Sequence, residues 1–239
     1  MTIDRAGVPF VLGATVPAIA LAWLGHPYGA VACGMLAGFF TFFFRDPVRD
    51  VPDDASLVLA PADGRVMHAG DADPAIAPIG DRRWTQVSIF LSPMDVHVNR
   101  SPVSGRVTSV EYRPGRFLAA YRREAAGENE RSEIWITHEE QAVVCRQVVG
   151  FLARRIVCRV TPGVDIHQGD RLGIMKFGSR MDVFLPAESR LQLEVTVGDV
   201  VRGGETVLAR FGTSLEAASE TTTSSLAPEA ASGKQEDLS

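Results

Sequence analysis

The feature that most constrains this fold is a pair of uncharged, apolar runs before residue 45. One run covers Val8 to Trp23 and the other Ala30 to Phe44, with a turn predicted at Gly25-His26-Pro27. Each run is shorter than the roughly 20 residues of a typical membrane-spanning helix. The sequence therefore predicts a helical hairpin that either crosses a thin bilayer or enters one leaflet. A hairpin buried against a soluble domain is the alternative.

Charged residues at the ends of the hairpin predict its orientation. Arg5 precedes the hairpin, and Arg45 and Arg49 follow it. Because positive residues favour the cytoplasmic side of a membrane, both ends are expected there. The weak basic start and the lack of a small-residue cleavage site make a cleaved signal peptide unexpected. We expect a cell-membrane protein, peripheral or hairpin-anchored, with its main domain on the cytoplasmic side.

Beyond Val51 the sequence changes to short β-rich segments separated by Gly, Pro and Asp, which is typical of a β domain. The hydrophobic content of 46% and the charged content of 22% are ordinary and leave the fold class open. The segment Gly115 to Arg123 is predicted as either a short helix or a loop. The predicted strands are Leu57–Leu59, Arg65–His68, Thr85–Leu91, Gly105–Tyr112, Ser132–Thr137, Ala142–Val149 and Ile156–Val160.

Two similar segments near the end of the domain favour a particular β architecture. The sequences PGVDIHQGDRLG (162–173) and VTVGDVVRGGETVLAR (195–210) each combine a Gly-Asp turn with a short apolar strand. This layout is typical of lipoyl- or biotinyl-like barrel sandwiches. The predicted fold class is therefore mainly β, lipoyl- or barrel-sandwich-like, with an N-terminal hydrophobic helical hairpin. Its predicted parts are the hairpin (1–50), the catalytic β domain (51–213) and a disordered, polar tail (214–239).

Several function classes are disfavoured by the sequence. A net charge of -5 gives no support for a nucleic-acid partner. The three cysteines, Cys33, Cys145 and Cys158, form no CxxC motif and predict neither a disulfide framework nor a zinc site. This fits a reducing compartment. Because no Gly-rich phosphate loop or acidic metal cluster occurs, we expect neither a metal nor an added organic cofactor.

The segment LGIMKFGSRMDVFLP (172–186) carries the candidate chemistry, because it sets Gly178-Ser179 between apolar stretches that look like buried strands. A serine hydroxyl after glycine can attack the preceding carbonyl and convert the amide into an ester. Elimination and hydrolysis would then cut the chain and leave a pyruvoyl group, given a nearby base and oxyanion donors. An isolated Gly-Ser pair is usually only a turn. A second candidate, Gly212-Thr213, lacks the following RMDVFLP context, so the cut is predicted at Ser179.

Three motifs in a fixed order carry a family resemblance. They are APADGRV (60–66), FLSPMDVHVNRSPVSG (90–105) and FGSRMDVFLP (177–186). Together they resemble the phosphatidylserine decarboxylases, and the match is closest to the short bacterial branch with an N-terminal membrane hairpin. The resemblance covers roughly residues 30 to 212. It implies a self-processing zymogen that belongs to phospholipid biosynthesis.

The resemblance implies a particular processing and reaction. Cleavage between Gly178 and Ser179 would give a β chain (1–178) and an α chain (179–239) that remain together as a heterodimer. Ser179 would become the pyruvoyl (pyruvate) cofactor, whose ketone forms a Schiff base with the substrate amine. The reaction implied is conversion of phosphatidylserine to phosphatidylethanolamine and carbon dioxide at a membrane.

The resemblance also assigns further site residues. Asp63 matches an aspartate that takes part in self-cleavage with a histidine and the serine, although an Asp-Gly pair alone is most often a turn. His97 is expected to be the main base and proton donor. Arg100 stands where longer members have a second histidine, so His97 does both jobs or His138 or His167 supplies one. Arg100 is a candidate for binding the substrate phosphate or carboxylate, with a surface ion pair as the alternative.

Two other functions stay open from the sequence. A membrane-tethered β adaptor would use the same turns to bind a protein partner and would never cut itself. A decarboxylase acting on a lipid with ether-linked chains would share the headgroup chemistry, and no residue identifies the lipid tails. Cleavage at Ser179 separates the first alternative from the enzyme.

Overall fold

A computed structural model describes residues 2–78, 82–151, 155–176, 178–189 and 191–212. A single 3-10 turn, Arg5–Gly7, leads into two helices, α1 (Val8–Trp23) and α2 (Pro27–Phe43). The rings of Phe10 and Phe40 lie 5.4 Å apart between centroids. Near the other end, a Cβ built on Gly29 would lie 3.1 Å from Leu21. These two contacts show that the helices run antiparallel as a hairpin.

The hairpin exposes most of its apolar surface. Arg5–Trp23 is long and apolar enough to cross a membrane by length and composition, with 11% of that segment buried, whereas Pro27–Phe43 is shorter. Soluble proteins rarely expose an apolar surface of this size to water. Such a surface usually marks a site of contact with a membrane or another protein. The exposed apolar residues of the hairpin include Leu12, Val16, Ile19, Trp23, Tyr28, Val31, Met35 and Leu36.

The remaining described chain is built mainly from β-strands, with one short helix, α3 (Ala125–Glu128), and a 3-10 turn at Ala187–Ser189. The strands are β1 (Thr2–Ile3), β2 (Arg45–Asp46), β3 (Leu57–Leu59), β4 (Gly64–Asp71), β5 (Trp84–Leu91), β6 (Val98–Arg100), β7 (Gly105–Arg113), β8 (Arg131–His138), β9 (Gln141–Val148), β10 (Ile156–Cys158), β11 (Asp165–Ile166), β12 (Arg171–Met175), β13 (Ser179–Pro186), β14 (Leu191–Leu193), β15 (Val200–Val201) and β16 (Val207–Phe211).

An eight-stranded antiparallel sheet forms the centre of this domain, in the order β11-β7-β8-β9-β13-β5-β4-β15. Two three-stranded sheets, β10-β12-β6 and β14-β16-β3, and the small pair β1-β2 complete the arrangement. Strand β13 is buried along its whole length. Its alternate residues Met181, Val183 and Leu185 belong to the main core, as the period of two in a strand requires. The opposite face of β13 carries Arg180 and Asp182 in a buried ion pair.

The predicted fold class, mainly β with an N-terminal hydrophobic helical hairpin, is confirmed. Helix α1 has the predicted bounds, whereas α2 begins earlier than expected, at Pro27, because proline is well suited to the first turn of a helix. Gly115–Arg123 is a loop, and the short helix follows at Ala125–Glu128. The domain boundaries stay predictions, and the tail predicted at 214–239 lies outside the described residues.

The base of the hairpin is fixed to the β domain at two buried carboxylates. Asp4 is 2.6 Å from the Arg159 guanidinium, and Asp46 accepts a hydrogen bond from Arg100 at 2.8 Å. Between these ion pairs an apolar cluster joins the hairpin to strands β6 and β12. Its buried members are Phe43, Phe44, Val96, Val98 and Ile174. The hairpin therefore ends directly against the chain segment that contains His97.

Candidate active site

The Gly178-Ser179 pair lies at the start of β13, where the central strand enters the sheet. Gly178 has φ +73°, a left-handed conformation that favours glycine. Ser179 pairs with Leu91 of β5 and is fully buried. Within the described residues its hydroxyl oxygen has no hydrogen-bond partner. The serine is therefore held in place by the backbone, while its side chain is not engaged elsewhere.

The carbonyl of Gly178 rests against Gly150. A Cβ on Gly150 would lie 2.1 Å from the Gly178 oxygen and 3.1 Å from its carbonyl carbon. The β13–β9 pairing of Arg180 with Val148, extended by two residues, sets Gly178 opposite Gly150. Gly150 has no left-handed φ, so the need for glycine here is one of space. Gly150 is not among the predicted site residues, and its one signal in the sequence is its position directly after a predicted strand.

Asn129 holds the segment behind this contact. Its side-chain amide donates to the carbonyls of Leu118 and Val149, each at 2.8 Å, and its Oδ1 accepts from the Leu118 amide at 2.9 Å. Ala120, on the same loop, would be 3.3 Å from a Cβ on Gly150. Asn129 is fully buried. It therefore links the 118–120 loop and the end of β9 into one support behind the Gly178 carbonyl.

His97 lies beside the Gly178 amide, one peptide unit before the candidate scissile bond. The Gly178 N–H donates to His97 Nε2 at 3.4 Å, and His97 Nδ1 is 3.0 Å from the Asp95 carbonyl oxygen. A carbonyl can only accept, so the ring carries its proton on Nδ1 and presents the Nε2 lone pair to Gly178. The ring of Phe43 covers His97 at 4.2 Å between centroids. His97 is itself fully buried.

The surroundings of His97 favour its neutral form. Burial lowers the pKa of His97 from 6.5 to about 4, and the nearby charge of Arg45 acts in the same direction. The hydrogen bond to the Asp95 backbone and the Asp95 charge raise the pKa and oppose the burial, but burial is the larger effect. His97 is therefore neutral near pH 7 and able to accept a proton.

Asp63 lies in a separate ion pair. Arg49 Nη2 donates to both Asp63 carboxylate oxygens at 2.8 Å, and the Gly203 amide donates to Oδ1 at 2.8 Å. In the part of the chain that the structure describes, Asp63 has no hydrogen bond to His97 or Ser179. The structure thus brings His97 to the Gly178-Ser179 pair, while Asp63 is hydrogen-bonded to Arg49 and Gly203 instead. A part for Asp63 in self-cleavage stays a prediction.

Arg100 is buried rather than on the surface. Its guanidinium donates to the Gly169 carbonyl at 3.0 Å, to Asp46 at 2.8 Å and to the Pro47 carbonyl at 3.0 Å. Burial lowers the pKa of Arg100, and the Asp46 charge acts in the opposite direction. These contacts join the end of the hairpin to the β domain. Substrate binding by Arg100 stays a prediction.

The other two candidate histidines lie in different surroundings. His138 places Nδ1 2.7 Å from the Ser104 carbonyl and Nε2 3.1 Å from the Ala55 carbonyl. His167 is mostly exposed and 3.6 Å from Asp170. Among the described residues neither ring is hydrogen-bonded to Gly178 or Ser179. Of the three candidates, His97 is thus the histidine that contacts the candidate cleavage site. Thr213, of the alternative Gly212-Thr213 pair, lies outside the described residues.

The chain is similar in sequence to proteins of one known family. The profile of the family described as phosphatidylserine decarboxylase matches residues 36–209. A protein named phosphatidylserine decarboxylase proenzyme from Prosthecochloris aestuarii is 46% identical over 173 residues, covering 72% of this chain and 77% of its own length. One of the same name from Pelodictyon phaeoclathratiforme is 43% identical over 211 residues, covering 88% and 92%. The chain belongs to the phosphatidylserine decarboxylase family and is a carboxy-lyase.

Proposed function

We propose that the chain cuts itself between Gly178 and Ser179 and then decarboxylates phosphatidylserine to phosphatidylethanolamine at the cell membrane. The observation that carries this proposal is the contact of His97 Nε2 with the Gly178 amide, beside a buried serine hydroxyl with no partner among the described residues. The names of the two relatives, which are proenzymes, support both the processing and the substrate.

The self-cleavage proceeds in steps that balance without any oxidant. Ser179 Oγ attacks the Gly178 carbonyl carbon, the C–N bond breaks, and the hydroxyl proton passes to the nitrogen, which gives an ester. Removal of the Ser179 α-proton then breaks the Cβ–Oγ bond and releases Gly178 as a carboxylate. The remaining dehydroalanine becomes an imine, and water converts the imine to a ketone with loss of ammonia.

His97 is the proposed base for the first proton transfer. Because its pKa is lowered to about 4, the ring is neutral near pH 7. Its Nε2 lone pair, which accepts the Gly178 N–H at 3.4 Å, would turn to Ser179 Oγ to take the proton. Gly150 and the support behind it hold the Gly178 carbonyl in one place for attack. The left-handed Gly178 adds a backbone conformation that other residues adopt only at a cost.

The surroundings of Ser179 fit a pyruvoyl group. Strand β13 is paired on both sides, with β5 and β9, so residue 179 keeps its position when its peptide bond is cut. Its side chain shares a buried face with Met181, which suits an uncharged ketone. When formed, the ketone supplies an electron sink for decarboxylation through a Schiff base with the substrate amine. The same pairing supports chains 1–178 and 179–239 remaining together as a heterodimer.

A lipid substrate suits the position of the hairpin. The exposed apolar helices provide a surface for the bilayer, and Phe43 at their base contacts His97. With both ends of the hairpin on the cytoplasmic side, the β domain takes its substrate from that leaflet. The reactive carbonyl would lie near the membrane surface, where the headgroup is found.

Intact-mass measurement and denaturing electrophoresis test the proposal. The unmodified chain should yield two fragments that meet between residues 178 and 179, with a blocked N-terminus on the smaller one. Ser179→Ala should remain one chain, whereas the control Thr213→Ala should be cut normally. A single full-length chain from the unmodified sequence would favour the adaptor. Carbon dioxide release from diacyl and ether-linked phosphatidylserine vesicles then identifies the substrate.

A further inference from the structure

A buried pair of amides lies next to the candidate active site. Gln147 Nε2 donates to Asn99 Oδ1 at 2.8 Å, and both residues are fully buried. Within the described ranges, Asn99 Nδ2 and Gln147 Oε1 have no hydrogen-bond partner. Buried polar groups are nearly always paired, because a buried group without a hydrogen bond loses its hydration and gains nothing in return. This amide pair therefore retains one free donor group and one free acceptor.

The presence of one free donor group and one free acceptor does not depend on how the amides are oriented. Oxygen and nitrogen of a side-chain amide are interchangeable by a flip. If both amides are flipped, Asn99 donates to Gln147, and the unpaired groups become Asn99 Oδ1 and Gln147 Nε2. Either arrangement presents one donor group and one acceptor, so the pair suits a ligand that carries both kinds of partner.

Two separate placements bring the amide pair to Ser179. Gln147 pairs with Met181 across β9 and β13, so Ser179 is its diagonal neighbour on the same face. Diagonal neighbours are about 7–8 Å apart, within reach of a long side chain. Asn99 lies in β6 two residues after His97, which directly precedes that strand. His97 in turn contacts Gly178.

Gly173 leaves room for this arrangement. It pairs with Asn99 across β12 and β6, and a Cβ there would lie 3.2 Å from Gln147 Nε2. A larger residue at 173 would crowd the Gln147 amide. The space beside the amide pair is thus provided by the backbone of β12.

We propose that Asn99 and Gln147 bind the amino-acid headgroup of the substrate, a step that rests on the proposed function. A serine headgroup carries an amine and a carboxylate on one carbon, which match one free acceptor and one free donor. The donors are neutral amides, not cations. In the transition state of decarboxylation, the negative charge moves away from the carboxylate oxygens. A cation at the carboxylate would therefore stabilise the bound substrate more than the transition state, and such binding does not accelerate the reaction.

The test is a double variant, Asn99→Leu with Gln147→Met. Replacing both partners by apolar groups of similar shape leaves no orphaned amide, so stability should change little. Self-cleavage should proceed as in the unmodified chain. The processed protein is then reduced with borohydride, which removes the ketone, and titrated with soluble glycerophosphoserine. The Kd should rise at least about tenfold, because hydrogen bonds to charged groups are lost.

Two comparisons sharpen the result. Glycerophosphoethanolamine lacks the carboxylate, so the unmodified protein should prefer glycerophosphoserine and the double variant should lose that preference. Gln86→Leu is the matched control, because Gln86 is also a buried amide, bonded to Ser88 at 2.9 Å on β5. Gln86 alternates with the core residue Val87, so it faces away from Ser179, and its replacement should leave the Kd unchanged.

Three outcomes would overturn the inference. The double variant could bind glycerophosphoserine like the unmodified protein, or it could fold but fail to cut itself, which would assign the pair to processing. If the variant does not fold, the side-chain amide NMR signals of Asn99 and Gln147 in the unmodified, reduced protein decide. These signals should shift on adding glycerophosphoserine, and unchanged signals would reject the binding. Failure of the unmodified chain to cleave refutes the proposed function instead.

Discussion

The contact between Phe43 and His97 predicts that the hairpin controls the protonation of the candidate base. The two ring centroids are 4.2 Å apart, and Phe43 is fully buried. The pKa of His97 falls from 6.5 to about 4, chiefly through burial. At 1.36 kcal/mol per unit, this difference of about 2.5 units disfavours the charged ring by about 3 kcal/mol. Phe43→Ala should admit water to the His97 ring and so remove part of the penalty on its charged form.

The expected size of the effect follows from simple titration. If one exposed face restores about half of the shift, the pKa of His97 rises to about 5 in the variant. At pH 5, the neutral fraction then drops from about 90% to about 50%. Because only the neutral ring accepts a proton, self-cleavage is lost as the pH falls through this pKa. The variant should therefore slow at a higher pH than the unmodified chain.

Two assays measure this change. In the uncleavable Ser179→Ala chain, the NMR signals of the His97 ring report its pKa directly, with and without Phe43→Ala. In the pulse-labelled, uncut chain that retains Ser179, the cleavage rate is measured between pH 4 and 8. The pH at which this rate falls to half is the midpoint of the activity. Phe43→Leu keeps an apolar cover and is the control. Asp95 and Arg45 are the charged groups that act on His97, and neither is changed. Equal midpoints in all variants, or an unmodified midpoint near 6.5, would refute the reasoning.

Three further predictions test other parts of the structure. Gly150→Ala should abolish self-cleavage by clashing with the Gly178 carbonyl. The control Gly173→Ala, which instead meets the Val157 carbonyl and the Gln147 amide, should lower stability yet still be cut; equal cleavage of the two variants would contradict this. Asp63→Ala should lower the free energy of unfolding by about 2 kcal/mol, because the buried Arg49 loses its 2.8 Å ion pair and keeps only the longer one to Glu205 at 3.4 Å, and urea titration of the Ser179→Ala chain measures it. Burial raises the pKa of Cys145, so iodoacetamide should modify it only after unfolding, as mass spectrometry would show.

The sequence predicted much of the secondary structure because its patterns are local. The uncharged run Val8–Trp23 became α1 with the same bounds, and Leu57–Leu59 became β3. The motif around His97 also identified the histidine that contacts Gly178. These features depend on hydrophobic period or on short motifs, which can be read without knowing the tertiary contacts.

The tertiary contacts of the site could not be read in the same way. Nothing in the sequence places Gly150 against Gly178, because that contact depends on the register between β9 and β13. The amide pair of Asn99 and Gln147 joins residues 48 positions apart. The ion pair of Arg100 with Asp46 likewise depends on where the hairpin ends. A one-residue change in register would turn each side chain to the other face, so such contacts follow only from the whole sheet.

The two carboxylates at the base of the hairpin, Asp4 and Asp46, have a mechanical consequence. A flexible linker would let the β domain tumble above a bilayer, whereas ion pairs at both chain crossings hold it against the hairpin. With the hairpin embedded in a membrane, as proposed, the candidate site would stay turned toward the lipids, and substrate would reach it by lateral diffusion in two dimensions. The turnover rate would then depend on how fast lipids exchange at the site by diffusion within the membrane.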